Sequence, residues 1–210
     1  MNLRKIVAIV FISFCSLTAV FAQAEKPDAL KLYNQGNYRD AIAVCETELA
    51  SNPNNLDSYS VLCWALIANG QYLEAETRAQ DARRINSYDV RIIEVLGEAK
   101  YYLGKLDDAL SLFQRYVSSV PENAGRLGKV YYLMGEIYIK QARYEHADIS
   151  LTMAVRIERN TAAWWARLGY AREMTKSYAS AIAAYDQALV LNPQLSDAAR
   201  GKTRCQSHIR

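Results

Sequence analysis

The stretch AAWWARLGYAREMTKSYASAIAAYDQALVLNPQL, residues 162–195, carries the pattern on which the chain is built. Trp165, Leu168, Gly169 and Arg172 fall at i, i+3, i+4 and i+7, one face of a helix. Ala181, Ile182, Tyr185, Ala188 and Leu189 do the same for a second helix, which Asn192-Pro193 stops. The anchoring alanine of that second helix recurs upstream. Ala41, Ala75, Ala109, Ala147 and Ala181 are spaced 34, 34, 38 and 34 residues apart. A helix–turn–helix period of 34 residues marks an array of stacked repeats, each too small to bury its own apolar face.

Working outward, this period predicts an all-α chain. Repeats span 25–55, 56–89, 90–123, 128–161 and 162–195, with a four-residue insertion at 124–127 and a polar capping helix over 196–210. The insertion is expected to lengthen a connection or a helix by about one turn. The turns inside the repeats are marked by Gly36-Asn37-Tyr38, Gly70-Gln71-Tyr72, Gly104-Lys105-Leu106 and Ala142-Arg143-Tyr144. Asp57-Ser58 is expected to cap the first helix of the second repeat.

The first 22 residues read differently. Arg4 and Lys5 precede an apolar run from Ile6 to Phe21, and small residues follow at Ala22 and Ala24. This is the pattern of a secretory signal peptide cut after residue 22 or 24, with an uncleaved anchor as the alternative. Phe14 stands before Cys15 where a lipoprotein signal carries a small residue, so lipidation is not expected. The segment holds two basic residues and no acid. Without it the chain carries 23 basic against 22 acidic residues, no electrostatic footprint for nucleic acid or an anionic membrane.

Trp165-x2-Leu168-Gly169 and Ala181-x3-Tyr185 with Pro193 resemble the tetratricopeptide-repeat signature. Ile93-x2-Leu96-Gly97, Ala109-x3-Phe113 with Pro121, and Tyr131-x2-Met134-Gly135-x2-Tyr138 follow it closely. The resemblance covers nearly all of the chain after the signal. It implies a right-handed α-solenoid in which small residues (Gly97, Gly135, Gly169) let helices approach and large ones (Tyr59, Ile93, Tyr131, Trp165) fill the space between repeats. Trp165, Phe113 and Tyr185 are expected in the core.

The family's first helices line a concave wall. On that wall the resemblance places Trp64, Arg91, Glu94, Glu98, Tyr101, Tyr132, Glu136 and Tyr170, with Ser60, Lys129, Ala163, Ala166 and Glu173 at equivalent positions. The expectation is an aromatic ladder beside open carboxylates, a groove for a protein or peptide segment carrying apolar and basic side chains. Trp64→Ala with Tyr101→Ala should then abolish capture without unfolding the chain. A subset of the family binds C-terminal carboxylates of heat-shock chaperones through inward Lys and Asn. The matching positions here are Ser60/Trp64, Glu94/Glu98, Tyr132/Glu136 and Ala166/Tyr170, so that activity is not implied.

Cys45, Cys63 and Cys205 follow the signal, an odd number for an exported chain. Cys63 stands where later repeats carry glycine, and Cys45 faces the second-helix core. A Cys45–Cys63 disulfide and two buried thiols both fit the sequence. Cys205 and His208 alone make no zinc site. No nucleophile–base arrangement emerges, and neither a cofactor nor a metal is expected. The functional expectation is a non-enzymatic scaffold in a bacterial envelope, monomeric or weakly dimeric. A small-ligand accessory protein using the same groove, for example beside a transporter, is the alternative.

Overall fold

A computed structural model describes residues 28–209, all of whose regular elements are helices. The signal-peptide reading lies outside the described residues. The helices are α1 (Ala29–Asn34), α2 (Tyr38–Ser51), α3 (Leu56–Ala68), α4 (Tyr72–Ile85), α5 (Val90–Tyr102) and α6 (Leu106–Ser119). They continue as α7 (Leu127–Lys140), α8 (Tyr144–Ile157), α9 (Ala162–Met174), α10 (Tyr178–Leu191) and α11 (Ser196–Ser207). Each packs on its chain neighbour, so the core runs along the stack as one strip, followed by a smaller cluster where α9 and α10 meet α11. The odd-numbered helices also touch one another from repeat to repeat, whereas among the described residues no two even-numbered helices do. The odd helices therefore form the inner, concave rail.

Close approach within a repeat depends on paired sizes. A Cβ added to Gly97 would stand 2.7 Å from the Phe113 ring, one on Gly135 2.5 Å from Leu151, and one on Gly169 2.7 Å from Tyr185. Each large partner lies sixteen residues downstream. The same offset pairs Cys63 with Ala79, both fully buried, so a small residue on α4 leaves room for sulfur on α3. Phe113 and Tyr185 are in the core as expected. Trp165 is only half-buried: its indole N–H reaches the Arg159 carbonyl at 2.8 Å, so its polar edge turns toward the end of the preceding repeat.

All five turns inside the repeats have three residues and the same backbone geometry. In the first, the Asn37 N–H bonds back to Leu32 and the Gly36 N–H to Tyr33, closing α1 with a Schellman motif. The middle residue must take a left-handed conformation. Gly36, Gly70 and Gly104 do so freely, but Ala142 (φ 56) and Lys176 (φ 62) bear the Cβ penalty. Ala142→Gly and Lys176→Gly are each expected to stabilise the stack by roughly 0.5–1 kcal/mol, the left-handed penalty less glycine's extra chain entropy. A rise in thermal midpoint of the double variant checks this; a fall would contradict it.

The connections between repeats are four residues long at 52–55, 86–89, 158–161 and 192–195, but seven at 120–126. The insertion thus lengthens the connection by three residues and α7 by one, to 14 residues against 13 in α3, α5 and α9. The cap of α3 also differs from expectation. Asn55, not Asp57-Ser58, accepts from the Asp57 and Ser58 N–H groups, because the chain is still extended at Asn55 and its side chain can fold back. The Ser58 hydroxyl instead donates to Glu48 at 2.6 Å.

Candidate functional site on the concave face

The concave rail places the expected residues in three groups. Arg91 stands near the N-terminal end of α5 and bonds Asp89 at 2.8 Å and Asp57 at 2.5 Å. Both carboxylates hold its guanidinium firmly protonated.

The second group sits at the centre of the rail. Glu94 and Glu98 are buried at 0% and 1% exposure, which corrects their reading as carboxylates open to a ligand. The Trp64 indole donates to Glu94 Oε2 at 3.0 Å, and Arg126 Nη2 donates to Glu98 Oε2 at 2.7 Å. Arg126 Nε lies 2.9 Å from Glu94 Oε2, an ion-pair contact that is not aligned as a hydrogen bond. Lys129 pairs with Glu98, and the Arg126 guanidinium lies over the Trp64 ring at 4.9 Å. Burial above all pushes the Glu94 carboxyl up to about 7, against the pull of Arg126. Arg126 comes from the long connection that breaks the repeat register. The insertion therefore contributes the cation that neutralises the inner face of α5. Trp64 is consequently a fold residue as well as a wall residue, and Trp64→Ala would strip a donor from a buried acid.

The third group gathers Tyr101, Tyr132, Glu136 and Tyr170 around Arg167. Glu136 pairs with Arg167 at 2.5 Å, and the same guanidinium lies 5.3 Å from the Tyr170 ring centre. Tyr132 stacks on Trp164 with ring centres 5.0 Å apart, and Lys140 reaches over Tyr101 at 5.8 Å. Burial and the Glu136 carboxylate push the Tyr132 phenol up to about 12, so it remains a neutral donor. Trp164 escapes the reading of the sequence, which gives its neighbour the signature position. Its signal is the successive pair Trp164-Trp165, since helix residues one apart point about 100° apart and one of two neighbours must leave the packing face.

A single rule links these groups. Glu98 with Lys129, Glu136 with Arg167, and Glu173 with Arg204 are ion pairs, each 31 residues apart and each joining one repeat to the next. Glu98, Glu136 and Glu173 are thus answered within the chain. Unsatisfied surface remains as half-buried aromatic rings and as cavities at the two ends. A cavity of about 640 Å³ opens beside Trp64 and Arg91 at the N-terminal end, and one of about 280 Å³ beside Tyr170 and Arg167 at the C-terminal end.

Cys45, Cys63 and Cys205 are buried free thiols. Burial lifts the Cys45 thiol to about 12, beyond the range of a reactive thiolate. Cys205 is enclosed while His208 is exposed and stacked on Tyr178 at 4.4 Å, so the two do not converge. Among the described residues no group of three or more His, Cys, Asp or Glu side chains is arranged to hold a metal.

Residues 132–196 match the family model described as tetratricopeptide repeat, and residues 34–116 match that of anaphase-promoting complex, cyclosome, subunit 3. The chain is a tetratricopeptide-repeat protein. As such it is similar to human protein O-mannosyl-transferase TMTC1, at 23% identity over 172 residues, 82% of this chain and 20% of the relative. It therefore spans about a fifth of the length of that curated relative. Among solved structures, this repeat stack is similar to Pseudomonas aeruginosa pilF, with a TM-score of 0.74 at 15% identity over 86% of this chain and 81% of that one. It is similar also to YrrB, a TPR protein with an unusual peptide-binding site, with a TM-score of 0.64 at 18% identity over 83% and 88%. At such identities the likeness is one of fold, and all-helical solenoid architecture is what these proteins share.

Proposed function

We propose that this chain is a non-enzymatic scaffold that holds a protein or peptide segment along its concave face, exported to a bacterial envelope. The observation that carries this reading is the row of half-buried rings, Trp64, Tyr101, Tyr132, Trp164 and Tyr170, held by stacking and cation–π contacts on the inner rail. Rings already fixed by neighbours lose little entropy when a partner covers them. Because Glu94, Glu98 and Glu136 are paired internally, a segment lying over the middle of the rail meets aromatic surface rather than free charge. YrrB, with its peptide-binding site, supports a peptide or protein as the partner class. The N-terminal segment supports export, through the positive start, apolar run and small residues at 22 and 24.

The test is affinity capture of a C-terminally tagged chain from its native cells, with the mature N-terminus sequenced in the same sample. Wild type is compared with a Tyr101→Ala/Tyr170→Ala variant, which spares the Trp64–Glu94–Arg126 cluster. The expected result is a mature chain beginning at Gln23 or Glu25 and a partner retained by wild type and lost from the folded variant. Equal capture by both would overturn the concave-face reading. A chain kept in the cytoplasm with Met1 in place would overturn export.

A further inference from the structure

Among the described residues, the N-terminal end of the wall is the region where acid outweighs base. The 640 Å³ cavity at the N-terminal end is lined by Asp28, Glu48 and Asp57, with Val61 and Trp64 on α3 providing apolar surface. Among the described residues only Arg91 brings positive charge to its wall, and that guanidinium is already shared by Asp57 and by Asp89. Asp28 accepts the Lys31 N–H at 3.0 Å as the cap of α1, which leaves its other oxygen free of that bond. Glu48 accepts the Ser58 hydroxyl through Oε2, and this fixes its carboxylate at the cavity wall.

We infer that this cavity takes a basic side chain of the partner, a Lys or Arg at one end of an extended segment whose other wall-facing residues are apolar. This rests on the scaffold reading above and names the chemistry that one end of it selects. A Lys or Arg fits the cavity in both halves. Its methylene stem lies on Val61 and Trp64, and its charged end reaches Glu48 and Asp28. Successive side chains of an extended backbone point to opposite sides, so every second residue enters the wall and the apolar ones follow the basic one at i+2, i+4 and i+6. The C-terminal cavity is balanced instead, its Arg167, Arg204 and Arg200 paired with Glu136, Glu173 and Asp197. The two ends therefore differ in charge, one acidic and one balanced, which gives a bound segment a direction.

The test uses the full mature chain and two fluorescein-labelled octapeptides at near-physiological salt, one with Arg at its first position and Leu at its third, fifth and seventh, the other with Glu in place of Arg, both with Ser between. The basic peptide is expected to bind at least about tenfold more tightly than the acidic one. Asp28→Asn/Glu48→Gln/Asp57→Asn should remove about tenfold or more of that affinity. Each amide keeps the shape of the acid it replaces, and an asparagine side chain at the N-cap of α1 still accepts the bond that the aspartate does. An unchanged thermal midpoint shows the triple variant is folded. Asp197→Asn at the opposite end serves as a control and should leave the basic peptide's affinity unchanged. Equal affinity for both peptides, full affinity in the triple variant, or no saturable binding of the basic peptide would each overturn the inference. If partner capture persists in any of those cases, the scaffold reading stands and only this cavity's assignment falls.

Discussion

An Arg126→Ala variant unfolds about 3–5 kcal/mol more readily than the wild type at neutral pH, because it leaves Glu94 and Glu98 buried without their shared guanidinium. The loss is centred on α5, whose residues 92–99 are all buried, and it appears there as faster amide hydrogen exchange. It also depends on pH in a defined direction. The Glu94 carboxyl is raised to about 7 in the folded chain, so the fold favours its protonated form. Its contribution is fully present below the ordinary carboxylate range and is lost as pH rises through about 7. Without Arg126, ionising Glu94 costs more still. The gap between variant and wild type should therefore be smaller near pH 5 than near pH 8. Adding Glu94→Gln and Glu98→Gln to the variant should recover much of the loss, since neutral amides need no cation. A deficit under about 1 kcal/mol, typical of an exposed ion pair, would contradict the account.

The second large effect is at the C-terminal cap. The Tyr185 ring lies between two glycines: a Cβ on Gly169 would stand 2.7 Å from it, and one on Gly201 closer still. Its hydroxyl donates to Glu173 at 2.6 Å, so the ring is fixed at its far end too and cannot slide away. Gly201→Ala is accordingly expected to cost about 1–3 kcal/mol, and to do so by lifting α11 off α9 and α10 rather than by melting the whole stack. Limited proteolysis at 192–195, with the rest of the chain protected, is the expected signature. Combining Gly201→Ala with Tyr185→Ala should cost less than the sum of the two, because the clash disappears with the ring. Strict additivity would show that the ring is not what excludes a methyl group at position 201.

These two sites show where sequence is sufficient and where it is not. The period of 34 residues is a local rule repeated down the chain, so Gly97 and Gly169 are legible as points of close approach and Phe113 and Tyr185 as core, whereas the pairing of each glycine with the ring sixteen residues on is seen only in the structure. The ion pairs at a spacing of 31 are equally regular, but they join different repeats. Considering each inward face alone makes Glu98 and Glu136 look free, when Lys129 and Arg167 on the next repeat answer them. Arg126 obeys neither rule. It lies in the stretch that breaks the period, and its role depends on how a seven-residue connection folds back over α5. The carboxylates expected to meet basic side chains at the centre of the wall are therefore occupied, and the acidic cavity proposed above lies at its N-terminal end instead.

The most direct test of the scaffold reading is photo-crosslinking from single positions in the full chain, expressed in its native cells. A benzophenone side chain replaces Tyr132 or Tyr170 on the inner rail or, as a control, exposed Val190 on α10. A protein partner crosslinked from 132 and 170 but not from 190 is the result predicted here. Crosslinks formed from 190 alone would place the interaction on the outer surface and contradict it.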